Sequence, residues 1–595
     1  MTKNNFSLVL TSNKKSFFLK DKNLLLGHWC LQGNDEFLKK IDFTISDFET
    51  RYETEDLNHY KENQKIYEEL LKDTIKNLSS FYNVSWDTKC WALFIGPWIS
   101  RYVFLITNRY LSLKYVYENY KIEKISLVEN QDFSLITKDL VDFKLKSNDD
   151  EWNLKLSSFI WCKYIDPNKK IKRIYVQQEK IRKLQIKESN VKKIPSLSIF
   201  VRKFLKVIES WVCKKNRLLF YRSYFADKPL LIKTNFKLQN VPFIYDFDYK
   251  IDEVKNLNNL RKSEFNSNIS TEIGKILVEN FFNFLPTYYL ESFSEIKYKF
   301  HNLLLPNRPK TVLSSNAIWR DNIFKFWLVQ NISSGGRLFT FQHGCNFGTT
   351  RISPIEDFEI KLSDKFLTWG WDNNKKRNVK KFFIIKNMKK KLNVSNSKKI
   401  LLTISSTYNY ITGEGTGEIF SRRTKLYQDI LYDMINKFPI KFKKYLFIRG
   451  NYLGEKLRNS QVTINLKYKF NDINFQNYRK TFFNSIKDFG LIINSSESTT
   501  FLESMSLNKP TISYLDDEIY YNHFRPEALE VYEKLKRVGI VHTNINSLTN
   551  FLEKINFNYN AWWSQNETVK AKEMFINSYC RPPKNFVENL KMVIS

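Results

Sequence analysis

The sequence predicts an α/β fold in which two Rossmann-type lobes face a cleft, preceded by a largely helical N-terminal extension. Three observations lead there. Beyond residue 216, short apolar runs alternate with helical stretches, the pattern of parallel strands joined by helical crossovers. A lysine-rich polar stretch at 379–399 divides that alternation into two halves. Before residue 216, long charged and aromatic segments carry a helical stripe instead: Tyr67, Leu70, Leu71 and Ile75 fall at i, i+3, i+4 and i+8.

Four units follow: a mainly helical extension at 1–216, a first lobe on the acceptor side at 217–390, a second lobe on the nucleotide-donor side at 391–560, and a C-terminal helix at 561–595 packing back across the cleft. In the first lobe, apolar runs at 218–221, 230–232, 311–313, 338–341 and 366–369 read as strands, with a helix at 318–331. In the second, strands are expected at 400–404, 445–448, 491–494 and 511–514, separated by helices at 419–437, 478–487 and 499–507.

Composition narrows the function. With 595 residues, 42% hydrophobic and 16% aromatic, the chain can bury large cores, and only 16 Gly and 14 Pro exclude a collagenous or low-complexity protein. Lys+Arg minus Asp+Glu is 95 − 62 = +33, which favours anionic partners or a solvated basic surface. The six cysteines lie far apart without CxxC spacing, so they read as reduced core thiols. The N-terminus lacks the apolar run of a secretory signal, and the segment 90–106 is interrupted by Pro97 and Arg101. A cytoplasmic protein, peripheral at the inner face of the plasma membrane, is expected. A basic nucleic-acid-binding protein is the rival from another class, but no recognition module is visible and no specific nucleic acid is expected.

The most informative segment is the apolar run ending at Asn494, followed by Ser495, Ser496, Glu497, Ser498, Thr499 and Thr500 and then by Glu503 in the opening turns of a helix. A strand that ends in a hydroxyl-rich turn at a helix N-terminus offers backbone N–H groups and a positive dipole end to phosphate. Glu503 is placed where a carboxylate could take two ribose hydroxyls; an ordinary N-cap with a solvated Glu503 is the alternative. Gly413 and Gly415, after the first strand of the second lobe, would let backbone approach a pyrophosphate, or mark a plain surface loop. Arg449, at another strand end, is a candidate phosphate clamp or a surface ion pair.

His343 follows an apolar strand in Phe341-Gln342-His343-Gly344, at a strand-end loop facing the cleft. Its imidazole can remove a proton from a hydroxyl near neutral pH, or merely cap the turn. Asp246 and Asp248 form an Asp-x-Asp that could hold a divalent cation, a rival to the downstream donor features. No His/Cys/carboxylate set has metal spacing, and no metal is expected.

Leu26-Gly27-His28-Trp29-Cys30, Ile95-Gly96-Pro97-Trp98 with Arg109 after it, Phe341-Gln342-His343-Gly344, Trp369-Gly370-Trp371 and the serine–threonine turn follow one another in this order. Together they resemble a family of transferases encoded in O-antigen and other surface-polysaccharide loci, GT-B-like and related to Kdo- and sialic-type glycosyltransferases and to teichoic-acid glycerophosphotransferases. His28 departs from it, since the family's Leu-Gly-x-Trp-Cys is expected to carry an acidic residue there. The resemblance implies a metal-independent, inverting transfer of a sugar from a CMP- or NDP-linked donor to a glycan or lipid-linked glycan acceptor, with glycerophosphoryl transfer from a CDP-linked donor as the alternative. It implies His343 as catalytic base and no cofactor, the nucleotide-sugar being a substrate.

Overall fold

The computed structural model describes residues 5–594 apart from 34, 50–55, 130–134, 178–203, 205–206, 208–217, 226–227, 241–253, 255, 302–308, 374–375, 389–391, 393–394, 406, 412, 414–421, 451–460, 477–479 and 518–523. Its described strands form three parallel sheets. The first holds β1 (Phe6–Val9), β2 (Asn23–Leu25), β3 (Phe43–Ile45), β4 (Ile122–Leu127) and β5 (Lys172–Tyr175), in the order β3-β2-β1-β4-β5. The second holds β6 (Leu218–Tyr221), β7 (Thr311–Ser314), β8 (Arg337–Phe341), β9 (Lys365–Thr368) and β10 (Val379–Lys381), laid side by side in sequence order. The third holds β11 (Ile400–Thr403), β12 (Leu446–Arg449), β13 (Asn474–Phe475), β14 (Leu491–Asn494), β15 (Thr511–Tyr514) and β16 (Val541–His542), in the order β13-β12-β11-β14-β15-β16.

The third order is that of the doubly wound dinucleotide fold, whose strand direction of travel reverses between its first and fourth strands. Here the reversal falls between β11 and β14, paired in register from Ile400 with Leu491 to Thr403 with Asn494. A ligand crevice is therefore expected outside the carboxyl ends of those two strands. Strands β11, β14 and β15 are wholly buried, mainly apolar runs, as a sheet covered on both faces requires.

The N-terminal extension differs from expectation. The helices are there, at Asp56–Tyr82 and Thr88–Asn119, but they pack with a five-stranded parallel sheet, so this region is a further α/β unit. Its strands run three to six residues and include Asn23, Lys124 and Lys172, too short and too polar for periodicity to mark. Helix Thr88–Asn119 continues through Pro97 and is long and apolar enough to cross a membrane, but 89% of its most apolar window is buried inside the protein. It is a core helix between the N-terminal sheet and the first lobe.

The run at 230–232 is not a strand but part of helix Lys228–Lys237, with Pro229 in its first turn and Leu230, Leu231, Thr234 and Asn235 on its buried face. The C-terminal segment is broken at Pro582-Pro583 into helices Asn566–Tyr579 and Phe586–Ile594. The first packs on the second lobe, Phe575 against Phe501. The second returns to the first lobe, where Phe586, Leu590 and Ile594 share a core with Leu218, Phe220, Leu313 and Phe339. One strap of chain thus ties both lobes.

Candidate active site

The loop after β8 is built around Gln342. Its Nε2 donates to the Gly344 carbonyl (2.9 Å), and its Oε1 accepts from Trp369 N and Trp371 Nε1 (both 2.8 Å). Trp369-Gly370-Trp371 is thus a clamp on this loop. Gly370 has φ +131°, and a Cβ there would lie 2.4 Å from the Asn577 carbonyl oxygen, so only glycine fits between the loop and the C-terminal strap.

This clamp presents His343. Its Nε2 sits 2.9 Å from Oε1 of Glu359, a fully buried carboxylate on helix Pro354–Leu362 that also accepts from Trp319 Nε1 (2.7 Å). A carboxylate acceptor fixes the proton on Nε2 and leaves Nδ1 as the basic nitrogen. Nearly parallel to the imidazole, 6.3 Å away, stands the ring of Tyr224, whose hydroxyl accepts from Asn316 Nδ2 (2.8 Å). Tyr224 (φ 59°) and Arg222 (φ 43°) both take left-handed backbone in the loop after β6. Strain of that kind concentrates where a side chain must be aimed.

Facing this loop is the turn after β14. Ser498 caps helix Thr499–Ser506 by accepting from Phe501 N (3.3 Å). Asn494 Oδ1 accepts from Thr403 Oγ1 (2.7 Å) and Thr500 Oγ1 (2.9 Å), while Thr500 and Ser498 hydroxyls lie 2.8 Å apart. Ser495 Oγ donates to the Thr403 carbonyl (2.8 Å) and bonds Tyr427, and Ser496 bonds Ser405. These hydroxyls stitch together the ends of β11 and β14, the reversal point of the sheet. Ser495 and Ser496 are buried, so Ser498, Thr499 and Thr500, each partly exposed, are the hydroxyls that a ligand could meet. The two lobes touch here: Cys345 N donates to Thr499 Oγ1 (3.3 Å).

The remaining expected donor residues are placed differently. Glu497 is buried between the lobes, accepting from Thr349 Oγ1 (2.8 Å) and Tyr532 OH (3.0 Å), and burial pushes its pKa up to about 7. It joins the lobes rather than facing a ligand. Glu503 pairs with Lys386 Nζ (3.2 Å). Arg449 is buried, donating to Gln476 Oε1 (3.1 Å), Ser485 Oγ (2.9 Å) and the Lys480 carbonyl (2.8 Å), which binds it within its own lobe. Gly413 lies by Arg101, its notional Cβ 3.2 Å from Nη1. Gly415, Asp246 and Asp248 lie outside the described residues, among which no three His, Cys, Asp or Glu are grouped to hold a metal.

Glu359, Trp319, Tyr224 and Lys386 escaped the sequence reading. Glu359 is one acid among three in its helix, and Lys386 one lysine among many; only the tertiary contacts distinguish them.

The model of the LIC12162 family transferase matches residues 6–594. The chain belongs to that family. Its members are transferases, and this chain is one. No curated protein matches. Among solved structures, a mutant of S. aureus TarM in complex with fondaparinux, alpha-GlcNAc-glycerol and UDP is similar at 12% identity, covering 50% of this chain and 58% of that one, with a TM-score of 0.30. A variant of the wall teichoic acid polymerase TagF with CDPG is similar at 11% identity, covering 67% and 97%, with a TM-score of 0.33. Anabaena Alr3699/HepE in complex with UDP and glucose is similar at 10% identity, covering 63% and 99%, with a TM-score of 0.32. This chain spans little more than half the length of TarM. The two α/β lobes of this chain rest on its own second and third sheets, each parallel throughout its described strands.

Proposed function

We propose that this transferase moves a glycosyl group from a nucleotide-activated donor to a surface-polysaccharide or O-antigen acceptor, without a metal ion and with inversion. The observation that carries this reading is the apposition, where the two lobes touch, of a Glu359-oriented His343 and a hydroxyl-rich helix N-terminus at the reversal point of a doubly wound sheet. His343 Nδ1 takes the proton of the acceptor hydroxyl as its oxygen bonds the anomeric carbon. The bond from that carbon to the nucleotide phosphate breaks, and the phosphate departs with the electron pair toward the Ser498–Thr500 helix start. The second lobe binds the donor, and the first lobe with the N-terminal unit receives the glycan or lipid-linked glycan. The protein works in the cytoplasm, where its net charge of +33 would hold it against an anionic leaflet.

The test is turnover with a panel of CMP-, UDP-, GDP- and CDP-linked donors, CDP-glycerol included. One donor should be consumed by wild type, and His343→Ala should lose about 10²–10⁴ in kcat while keeping donor affinity. Near-wild-type turnover by the variant would place the base elsewhere. Consumption of CDP-glycerol alone would replace glycosyl by glycerophosphoryl transfer.

A further inference from the structure

One cation beside Tyr224 and Glu503 has no part in the scheme above. Lys386 lies on the short turn Ile385–Asn387 after β10, where the first lobe hands over to the second. Its Nζ is 3.2 Å from Glu503 Oε1 and 5.0 Å over the Tyr224 ring, the same ring that stands beside His343. Asn387 Nδ2 donates to the Glu503 carbonyl (3.0 Å), so neighbouring residues of this turn grip both ends of one residue on helix Thr499–Ser506. The Lys386 side chain is 25% exposed and that of Glu503 10%, so the pair is largely enclosed while part of the lysine meets solvent. Burial opposes its charge, but Glu503, Tyr224 and Cys345 together keep its pKa above the ordinary lysine value.

A departing nucleotide phosphate gains a negative charge as its bond to the sugar carbon breaks. A helix N-terminus supplies only about half a positive charge. Arg449, the cation first expected to complete it, is occupied within the second lobe. We infer that Lys386 is the full positive charge that meets the leaving phosphate, and that Glu503 positions this lysine rather than binding the ribose. The inference rests on the transfer reading above. The acceptor proton goes to His343, the electron pair goes to the phosphate oxygen, and Lys386 stays protonated throughout, contributing charge and a hydrogen bond that strengthen as the bond breaks.

Calorimetric titration of the full chain with UDP, CDP, GDP and CMP, and with the matching nucleosides, tests this. Wild type should bind at least one nucleotide. Lys386→Gln, which removes the charge while leaving a hydrogen-bond donor on a shorter side chain, should weaken that nucleotide by roughly ten- to a hundredfold, leave the nucleoside unchanged, and be partly rescued in Lys386→Arg. Glu503→Gln should weaken the nucleotide to a lesser degree and spare the nucleoside, whereas a ribose ligand would lose both alike. Equal nucleotide affinity in Lys386→Gln and wild type overturns the assignment, as does an equal loss of nucleotide and nucleoside. If wild type binds no nucleotide at all, the transfer reading itself fails and the assignment falls with it.

Discussion

Glu497→Gln should make the protein less sensitive to rising pH. Glu497 is 5% exposed, enclosed by Thr349 of the first lobe and Tyr532 of the second, and its pKa is raised by burial from 4.5 to about 7. In the unfolded chain the group ionises through its ordinary value, while the folded protein keeps the proton until near neutrality. The folded state therefore binds more protons between these values, so the contribution to stability is fully present below pH 4.5 and lost as pH rises through about 7. Holding the proton from 4.5 up to about 7 is worth, at ~1.36 kcal/mol per pH unit, about 3 kcal/mol in full. Glutamine preserves size and an acceptor for both hydroxyls but cannot ionise. Urea denaturation at pH 5 and pH 8 should show wild type losing about 2.5 kcal/mol more than the variant over that interval. Equal losses would mean that the carboxyl ionises in place without penalty, and the burial argument would be refuted.

If charge on the leaving phosphate is met by protein groups alone, activity should survive EDTA. Complete loss with EDTA, restored by manganese, would shift the chemistry to Asp246 and Asp248. Gly370→Ala should cost at least ~1–3 kcal/mol, from a left-handed backbone and a 2.4 Å approach to the Asn577 carbonyl, read as a lower urea midpoint. An unchanged midpoint would show that the C-terminal strap gives way freely at this point.

The second lobe was legible because its strands are mainly apolar runs flanked by helices of ordinary length, so β14 and β15 fall on the expected residues. The N-terminal sheet was not. Asn23-Leu24-Leu25 has no strand character of its own; it becomes one by pairing with Ser7–Val9 on one side and Phe43–Ile45 on the other. Residue type exposed the hydroxyl turn and His343. It could not expose what surrounds them, because Glu359 meets His343 across 16 residues and Glu503 meets Lys386 across 117. The clearest case is Trp369-Gly370-Trp371, visible as a motif but intelligible only as the clamp that sets the His343 loop.

The N-terminal unit acquires a role from where the second lobe leans on it. Its strand order reverses between β1 and β4, and beside that point Ser12, just after β1, donates to Asp150 (2.6 Å) at the start of helix Asp150–Ile160. In a free-standing α/β domain this edge would receive a ligand. Here it receives the loop after β11: Tyr410 bonds Asp150, and Asn148 Oδ1 accepts from the backbone N–H groups of Asn409 (2.9 Å) and Tyr410 (3.1 Å). Arg109, fully buried, donates to the Ile411 carbonyl (3.0 Å), with its guanidinium 5.9 Å from the Trp29 ring and 5.4 Å from that of Tyr410. Burial lowers the Arg109 pKa to about 10, a cost that persists only if its partners are held in place. Those partners come from both units, so the N-terminal unit and the loop after β11 are ordered together. The same loop leads from Thr403, whose hydroxyl donates to Asn494 at the reversal point of the third sheet. The N-terminal unit therefore reaches the reversal point of the third sheet at one remove: it holds the loop that leads away from β11.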